Sequence, residues 1–248
     1  MTTTFSAPFT PVEALLPALR ERGYAVLTPD SVVELCGIAV ADLQALMPSW
    51  GDLPPDGFLR DGGSYRRRRH SCFVVDDAQV AQAPHRAHWQ SETYNALHGG
   101  MQRWFEPIAA DIVARPVWSR MLQALACCFA EVRPTRPWYV EAHQFRIDTS
   151  DGIGRPTPEG AHRDGVDFVA VFIVARHGIK GGESRVFEAA GPNGQRFTLD
   201  MPWSLLLLDD ARMIHESTPI QPEQPGDSDG YRDTLVLTYR AGAFQGDD

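Results

Sequence analysis

The sequence contains almost no lysine. Its 23 basic residues are 22 arginines and one lysine, Lys180, and its 32 acidic residues give a formal net charge of −9. An acidic chain is a poor partner for nucleic acid, whose phosphate backbone requires a net basic face. Codon usage in a GC-rich genome explains most of an arginine excess, so only individual arginines that can be placed in a site carry functional meaning.

Long apolar runs, a secretory signal and paired cysteine motifs are also missing. No apolar run approaches the roughly 20 residues that span a bilayer. The N-terminus, MTTTFSAPFTPVE, lacks a basic segment followed by an apolar one. The four cysteines, Cys36, Cys72, Cys127 and Cys128, form no Cys-x-x-Cys pair, which argues against a structural zinc site. We therefore expect a cytoplasmic protein with free thiols and no membrane or nucleic-acid partner.

The first part of the chain has the pattern of a helical region. Apolar residues recur at helical spacing, and Thr10 before Pro11 is a reasonable N-cap with proline in the first turn. The predicted helices are Pro11–Arg22, Val40–Met47, Glu92–Ala114 and Pro116–Val132, and an interruption before Pro107 is the alternative for the third. A short strand is predicted at Tyr24–Leu27, and further strands flank the DGG turn within 54–77. Residues 1–132 are therefore expected to be mostly helical, with one or two strands.

From Trp138 onward, short strands alternate with turn residues. Strands at this spacing with no helices between them indicate a sandwich or barrel rather than a parallel α/β sheet. We predict a mainly β protein, a jelly roll flanked by N-terminal helices, in which one domain spans 1–248 and the barrel core spans 138–241. The predicted strands are Trp138–Ile147, Val166–Arg176, Glu183–Glu188, Gln195–Asp200, Ser204–Asp209, Met213–Ile220 and Tyr231–Arg240.

Three side chains have the spacing of metal ligands. His162 and Asp164 are two residues apart at the entrance to a predicted strand, so both face the same side. His215 lies on a separate predicted strand. Two imidazoles and one carboxylate leave several positions of an octahedral ion open, which suits non-haem Fe(II) better than tetrahedral zinc. A His-x-Asp pair alone also occurs by chance, as two polar residues at the edge of a loop.

A further pair on the last predicted strand strengthens this interpretation. Arg232 and Thr234 are two residues apart and share one face of that strand. A guanidinium beside a hydroxyl is suited to binding the far carboxylate of a dicarboxylic acid. The sequence therefore places a candidate metal site and a candidate carboxylate site in the same half of the chain.

These motifs resemble those of a known enzyme family. The pattern HRD…H…RDT, within HRDGVDFVAVFIVARHGIKGGESRVFE, LLLDDARMIHESTPI and GYRDTLVLTYR, resembles the Fe(II)/2-oxoglutarate-dependent dioxygenases. Closest is the 2OG-Fe dioxygenase subfamily, which includes bacterial free L-amino-acid hydroxylases such as L-isoleucine 4-hydroxylase, and the BsmA-type proteins. The likeness extends over about residues 58 to 241. It implies a double-stranded β-helix, with His162, Asp164 and His215 holding Fe(II).

The resemblance also implies a cosubstrate and a reaction. Arg232, assisted by Thr234, would bind 2-oxoglutarate, and O2 would be the oxidant. The expected reaction hydroxylates a small polar molecule, a free L-amino acid or derivative, with release of succinate and CO2. Two alternatives stay open: a cupin-like metal enzyme that does not use 2-oxoglutarate, and a non-catalytic ligand-binding or stress-response module on the same barrel. The oligomeric state is not indicated.

Two groups of residues are candidates for binding the substrate carboxylate. If His143, Phe145 and Ile147 pack outward under the helices, Gln144 and Arg146 point into the barrel; an ion pair with an aspartate is the alternative for Arg146. Four consecutive arginines, Arg66 to Arg69, place two on each face of a strand, and we predict that Arg66 or Arg68 enters the site. A solvated face is the alternative for this second group.

Other polar residues are given more peripheral positions. We expect His85 and His88 to lie in a surface loop, and the segment 152–160 to be exposed. Asp209 and Asp210 are expected either to support a ligand histidine or to pair with Arg212.

Overall fold

The computed structural model describes residues 5–77, 79–95 and 97–247. Its α-helices are α1 (Leu15–Arg22), α2 (Pro29–Cys36), α3 (Val40–Gln44), α4 (Ala110–Val113) and α5 (Pro116–Val132), and 3-10 turns occur at Val12–Ala14 and Met47–Asp52. Its strands are β1 (Tyr24–Leu27), β2 (Arg66–Val75), β3 (Val80–Gln82), β4 (Trp138–Asp148), β5 (Phe168–His177), β6 (Ile179–Gly181), β7 (Ser184–Glu188), β8 (Gly194–Phe197), β9 (Leu205–Asp209), β10 (Met213–Ser217), β11 (Ile220–Pro222) and β12 (Tyr231–Ala241).

The strands form one large sheet and two small ones. The large sheet has seven strands in the order β1-β9-β5-β12-β4-β2-β3, and all of its pairings are antiparallel. A three-stranded sheet, β10-β7-β8, and a two-stranded sheet, β11-β6, complete the architecture. This is the predicted jelly roll, or double-stranded β-helix, flanked by N-terminal helices, and that prediction is confirmed.

Helices cover one face of the large sheet. In α5, which begins with Pro116, the predicted apolar stripe is buried in the same core as β4, β5 and β12. The ring of Phe129 stacks on Phe168 at 4.4 Å and meets Tyr239 edge-on at 4.9 Å. Because one face of the sheet is closed in this way, the other face is available to line the barrel interior.

The helix predicted over Glu92–Ala114 is mostly absent. Among the described residues of this range only α4 is helical, and residues 92–94 and 97–100 form turns. Gly100 has a left-handed φ of 73°, and a Cβ on Gly99 would lie 2.5 Å from the carbonyl oxygen of Asn95, so this segment requires glycine for a tight turn. Pro107 provides a second break before α4.

Two smaller differences are a helix that was not predicted and a predicted strand that is divided in two. Helix α2 was not predicted, although Thr28 caps it by accepting a hydrogen bond from the Ser31 amide at 3.2 Å and Pro29 occupies its first turn. The strand predicted over Met213–Ile220 is divided into β10 and β11, which belong to different sheets.

Among the described residues, no single helix is long and apolar enough to cross a membrane. One helix pair, Pro29–Cys36 with Val40–Asp52, passes the same test by length and composition, but it is bent by 104° at its break.

Candidate metal centre and its cavity

The three predicted metal ligands come together at one point between the sheets. His162 and His215 form an isolated antiparallel bridge, in which their backbone amides and carbonyls bond reciprocally at 3.0 and 2.9 Å. Asp164 lies between the two rings: its Oδ1 is 3.6 Å from Nε2 of His162, and its Oδ2 is 3.7 Å from Nε2 of His215. Nδ1 of His162 donates to the Gly160 carbonyl at 2.9 Å, which leaves Nε2 free to bind a metal.

A buried carboxylate holds the turn that carries Asp164. Asp210 accepts hydrogen bonds from the backbone amides of Asp164, Gly165 and Val166 at 2.9, 2.8 and 3.1 Å. Burial and the nearby charge of Asp164 raise the pKa of Asp210 to about 7. We expected Asp209 or Asp210 to support a ligand histidine or to pair with Arg212, but Asp210 holds the segment that carries the carboxylate of the triad.

The charges of the triad suit a cation. Burial alone would raise the pKa of Asp164, but hydrogen bonding and the charge of His162 outweigh it and lower the value to about 2. Burial and the neighbouring His162 lower the pKa of His215 to about 4. Asp164 is therefore ionised and His215 neutral near pH 7, the forms in which carboxylate and imidazole bind metals. Burial lowers the pKa of His162, but the hydrogen bond and charge of Asp164 outweigh it and raise the value to about 10, so a metal that binds there displaces a proton from His162.

Arg232 and Thr234 face the same cavity from β12. Both side chains are buried, and in the described part of the chain the Arg232 guanidinium has neither a hydrogen bond nor an ion pair; its Nε is a buried atom without a partner. Burial lowers the pKa of Arg232 to about 9. A buried, unpaired guanidinium is costly unless an anion binds it, so this end of the cavity fits a carboxylate.

The orientation predicted for β4 is wrong. His143, Phe145 and Ile147 line the cavity, whereas Gln144 and Arg146 face the other side of the sheet. Gln144 donates to Ser49 Oγ at 2.8 Å. Arg146 forms a two-pronged ion pair with Asp233, at 2.8 and 2.7 Å. The ion-pair alternative therefore holds for Arg146, and neither residue reaches the site.

Of the four consecutive arginines, Arg66 and Arg68 do enter the cavity, and both are buried. Arg66 Nε is 2.7 Å from Asp56 Oδ2, and Arg68 Nη1 is 3.8 Å from the same oxygen. The guanidinium of Arg68 lies over the rings of Phe105 and Phe145, 3.8 and 4.4 Å from their centroids. One carboxylate is thus shared by two cations at the cavity wall.

Arg67 and Arg69 occupy the opposite face of β2. They pair there with Asp148 at 3.6 Å and with Glu106 at 2.8 Å. The four arginines therefore alternate between the two faces of β2, as the sequence predicts for a strand.

Sequence reasoning missed the contribution of two loops to the cavity. The segment after β3 supplies Gln90, whose amide donates to Asp164 Oδ1 at 3.1 Å, and Arg103, which donates to Gln90 Oε1 at 2.9 Å. His88, expected at the surface, is buried and lines the cavity, and so does Glu159 of the 152–160 loop. Neither loop has a periodic pattern, so only tertiary folding places these residues at the site.

A second group of potential ligand residues surrounds Glu141. His70 Nε2 and His88 Nδ1 donate to Glu141 Oε2 at 2.8 and 2.6 Å, and His143 Nε2 is 3.9 Å from the same atom. The rings of His70 and His143 are stacked with an interplanar angle of 21°, so their in-plane lone pairs do not converge on one ion. Arg68 donates to His143 Nδ1 at 2.7 Å, which places the proton of the neutral ring on Nε2. The group is a hydrogen-bonded cluster around a carboxylate.

Together, a jelly roll and an open triad of two histidines and one aspartate define the class of non-haem iron oxygenases. A family model described as 2OG-Fe dioxygenase matches residues 47–238. The crystal structure of a bsmA homologue from Methylobium petroleophilum PM1 is 51% identical, covers 100% of both chains and has a TM-score of 0.92. No curated protein shows a significant match.

Two more distant structures, each 17% identical, share the fold. IDO from Bacillus thuringiensis covers 94% of this chain and 100% of its own, with a TM-score of 0.76. The Fe(II)/α-ketoglutarate-dependent dioxygenase TqaL covers 95% of this chain and 88% of its own, with a TM-score of 0.68.

The chain belongs to the 2OG-Fe dioxygenase family. It is a non-haem iron dioxygenase that uses Fe(II), 2-oxoglutarate and O2. The donor set agrees with this assignment, because the triad offers two imidazole nitrogens and a carboxylate and Arg232 offers an unpaired cation to the dicarboxylate. The alternative of a cupin-like enzyme without 2-oxoglutarate is not supported.

The Glu141 cluster makes a pH-dependent contribution to stability. Burial lowers the pKa of His88 to about 4, against an ordinary value of 6.5. Between these values the unfolded chain binds a proton that the folded one does not, so the free energy of unfolding falls as the pH falls from 6.5 towards 4. Between pH 7 and pH 4.5 this effect lowers the free energy of unfolding by about 2–3 kcal/mol. We predict that His88→Asn, whose side-chain amide replaces the Nδ1 donor, loses about 2–3 kcal/mol less than the wild type over this pH range. Urea unfolding of the wild type and of His88→Asn at pH 7 and pH 4.5 measures this difference. An equal decrease in the free energy of unfolding of the two proteins would contradict the prediction.

Proposed function

We propose that this enzyme hydroxylates a small polar molecule, a free L-amino acid or a derivative of one. The observation that carries the proposal is the pair of buried arginines, Arg66 and Arg68, in the wall of the cavity that holds the triad. Asp56 is the only carboxylate within 4 Å of either guanidinium in the described chain. Asp56 balances one of the two positive charges, and a substrate carboxylate would balance the other.

The charge balance of the wall supports an electrically neutral substrate. Burial favours neutral imidazoles at His88 and His143, whose pKa values are lowered. Apart from the triad, Arg232, and Glu216, which pairs with Arg185, the remaining ionisable groups at or just behind the wall are three guanidiniums and three carboxylates. These groups are Arg66, Arg68, Arg103, Asp56, Glu141 and Glu159. A zwitterion adds no net charge to such a wall, so no uncompensated charge is buried when it binds.

We assign the other residues as follows. His162, Asp164 and His215 hold the iron, and Arg232 with Thr234 binds the distal carboxylate of 2-oxoglutarate. When bound there, iron and 2-oxoglutarate would supply the activation of O2 that inserts one oxygen into a C–H bond, with succinate and CO2 as coproducts. Phe105 and Phe145 keep the Arg68 guanidinium in one orientation, and the surrounding wall places one C–H bond of the substrate near the metal while excluding others.

Arg232→Ala is expected to weaken 2-oxoglutarate binding several tens-fold. Loss of a charged hydrogen-bonding partner of a buried carboxylate costs about 2–3 kcal/mol. The apparent KM for 2-oxoglutarate, followed by succinate formation, measures the effect. Arg67→Ala is the control, because Arg67 lies on the outer face of β2. An unchanged KM in Arg232→Ala would exclude the assigned role.

A panel of the twenty L-amino acids, incubated with Fe(II), 2-oxoglutarate and air, tests the substrate class. We expect at least one to gain the mass of one oxygen, with succinate formed in step. Arg68→Met should abolish this gain while leaving 2-oxoglutarate binding within about threefold, and Arg67→Met, which removes a charge from the opposite face, should retain the activity. If none of the panel gains oxygen, or if Arg68→Met hydroxylates as well as the wild type, the amino-acid proposal is wrong.

A further inference from the structure

The 152–160 loop is held against the cavity and most of its residues are partly buried, although Gly152 and Arg155 are exposed. Thr157 Oγ1 donates to the Ser217 carbonyl at 3.0 Å and accepts from the Ser217 amide at 3.1 Å. Gly154 forms a reciprocal backbone pair with Ile220, at 3.0 and 2.8 Å. These contacts join the loop to the ends of β10 and β11, so that Glu159 is held at the cavity wall next to His162.

The carboxylate of Glu159 has one end without a partner. Its Oε1 lies 3.5 Å from Nε2 of His162, and the side chain is only 12% exposed. Its Oε2 is buried and makes no hydrogen bond within the described part of the chain. A buried carboxylate oxygen without a donor is costly, so this atom indicates that a donor binds there.

The surroundings of Glu159 define the kind of donor. In the described residues no lysine or arginine lies within 4 Å of its carboxylate, and His162 is its single ion-pair partner. The triad already supplies two imidazoles and a carboxylate to the metal without it. The arginines of the wall, Arg66, Arg68 and Arg103, bear the opposite charge and suit the other end of a zwitterion.

We propose that Glu159 accepts the ammonium group of the substrate and so makes the enzyme specific for amino acids over the corresponding 2-hydroxy acids. This inference rests on the proposed function. In it, the guanidinium-lined wall binds the α-carboxylate and the Glu159 carboxylate binds the α-ammonium. The two ends of the substrate are thus held by opposite charges, which also fixes the direction of its side chain relative to the metal.

Calorimetry without turnover tests the proposal. Protein loaded anaerobically with Fe(II) and 2-oxoglutarate is titrated with an amino acid from the panel and with its 2-hydroxy acid, in which a hydroxyl replaces the ammonium. We expect Glu159→Gln to weaken amino-acid binding several tens-fold, the range expected for losing a charged hydrogen-bonding partner, and to change 2-hydroxy-acid binding less than about threefold. Glu159→Asp, which keeps the charge, should retain a preference for the amino acid.

A matched control and a metal titration separate the alternatives. Glu106→Gln also removes one negative charge, but on an exposed side chain paired with Arg69, and should leave both affinities unchanged. Equal weakening of both ligands, or of neither, by Glu159→Gln overturns the proposal. So does a loss of Fe(II) affinity with the amino-acid preference retained, which would make Glu159 a metal ligand. If wild-type protein binds none of the twenty amino acids, the proposed substrate class itself fails.

Discussion

The backbone pairing of His162 with His215 is the contact on which the site depends. It joins the segment before β5 to β10 in the small sheet, and so places two imidazoles from distant parts of the chain side by side, with ring centroids 4.7 Å apart. Asp164 reaches the same point because Asp210 binds the three backbone amides that begin at Asp164. The ligand geometry is thus set by backbone hydrogen bonds before any metal is present, which lowers the cost of ordering the ligands when the metal binds.

The second constraint is the burial of charge inside the barrel. Within the residues that the structure describes, Arg232 is buried without a partner and Glu159 has a buried oxygen without a donor, while Arg66 and Arg68 share Asp56. Such groups are costly in a low-dielectric interior unless ligands of opposite charge complete them. In our proposal these incompletely paired charges determine which ligands the cavity binds: Arg232 selects a dicarboxylate, and the Arg66–Arg68 pair with Glu159 selects a zwitterion.

Patterns within a few residues of the sequence correctly predict the parts of the structure that depend on neighbouring residues alone. The period-two strands from Trp138 onward, the apolar stripe of α5 and the His-x-Asp spacing are each set within a few residues, and all three are found. The prediction of a helix over Glu92–Ala114 was mostly wrong because Gly99 and Gly100 make a tight turn. The spacing of apolar residues does not reveal a turn of this kind. The orientation predicted for β4 was wrong because its face with His143, Phe145 and Ile147 lines a cavity. On the opposite face, Gln144 and Arg146 find polar partners in Ser49 and Asp233. The orientation of β4 thus depends on residues from distant segments of the chain, and the pattern of a single strand gives no information about them.

We propose that His162, Asp164 and His215 hold an iron whose remaining positions admit 2-oxoglutarate. The most direct test is the visible spectrum of the protein with Fe(II) and 2-oxoglutarate, mixed without oxygen. Chelation of iron by the 2-oxo acid gives a weak charge-transfer band, and the account predicts this band for the wild type and its loss in Asp164→Ala. A wild-type spectrum with no such band, or an unchanged band in Asp164→Ala, would contradict the account.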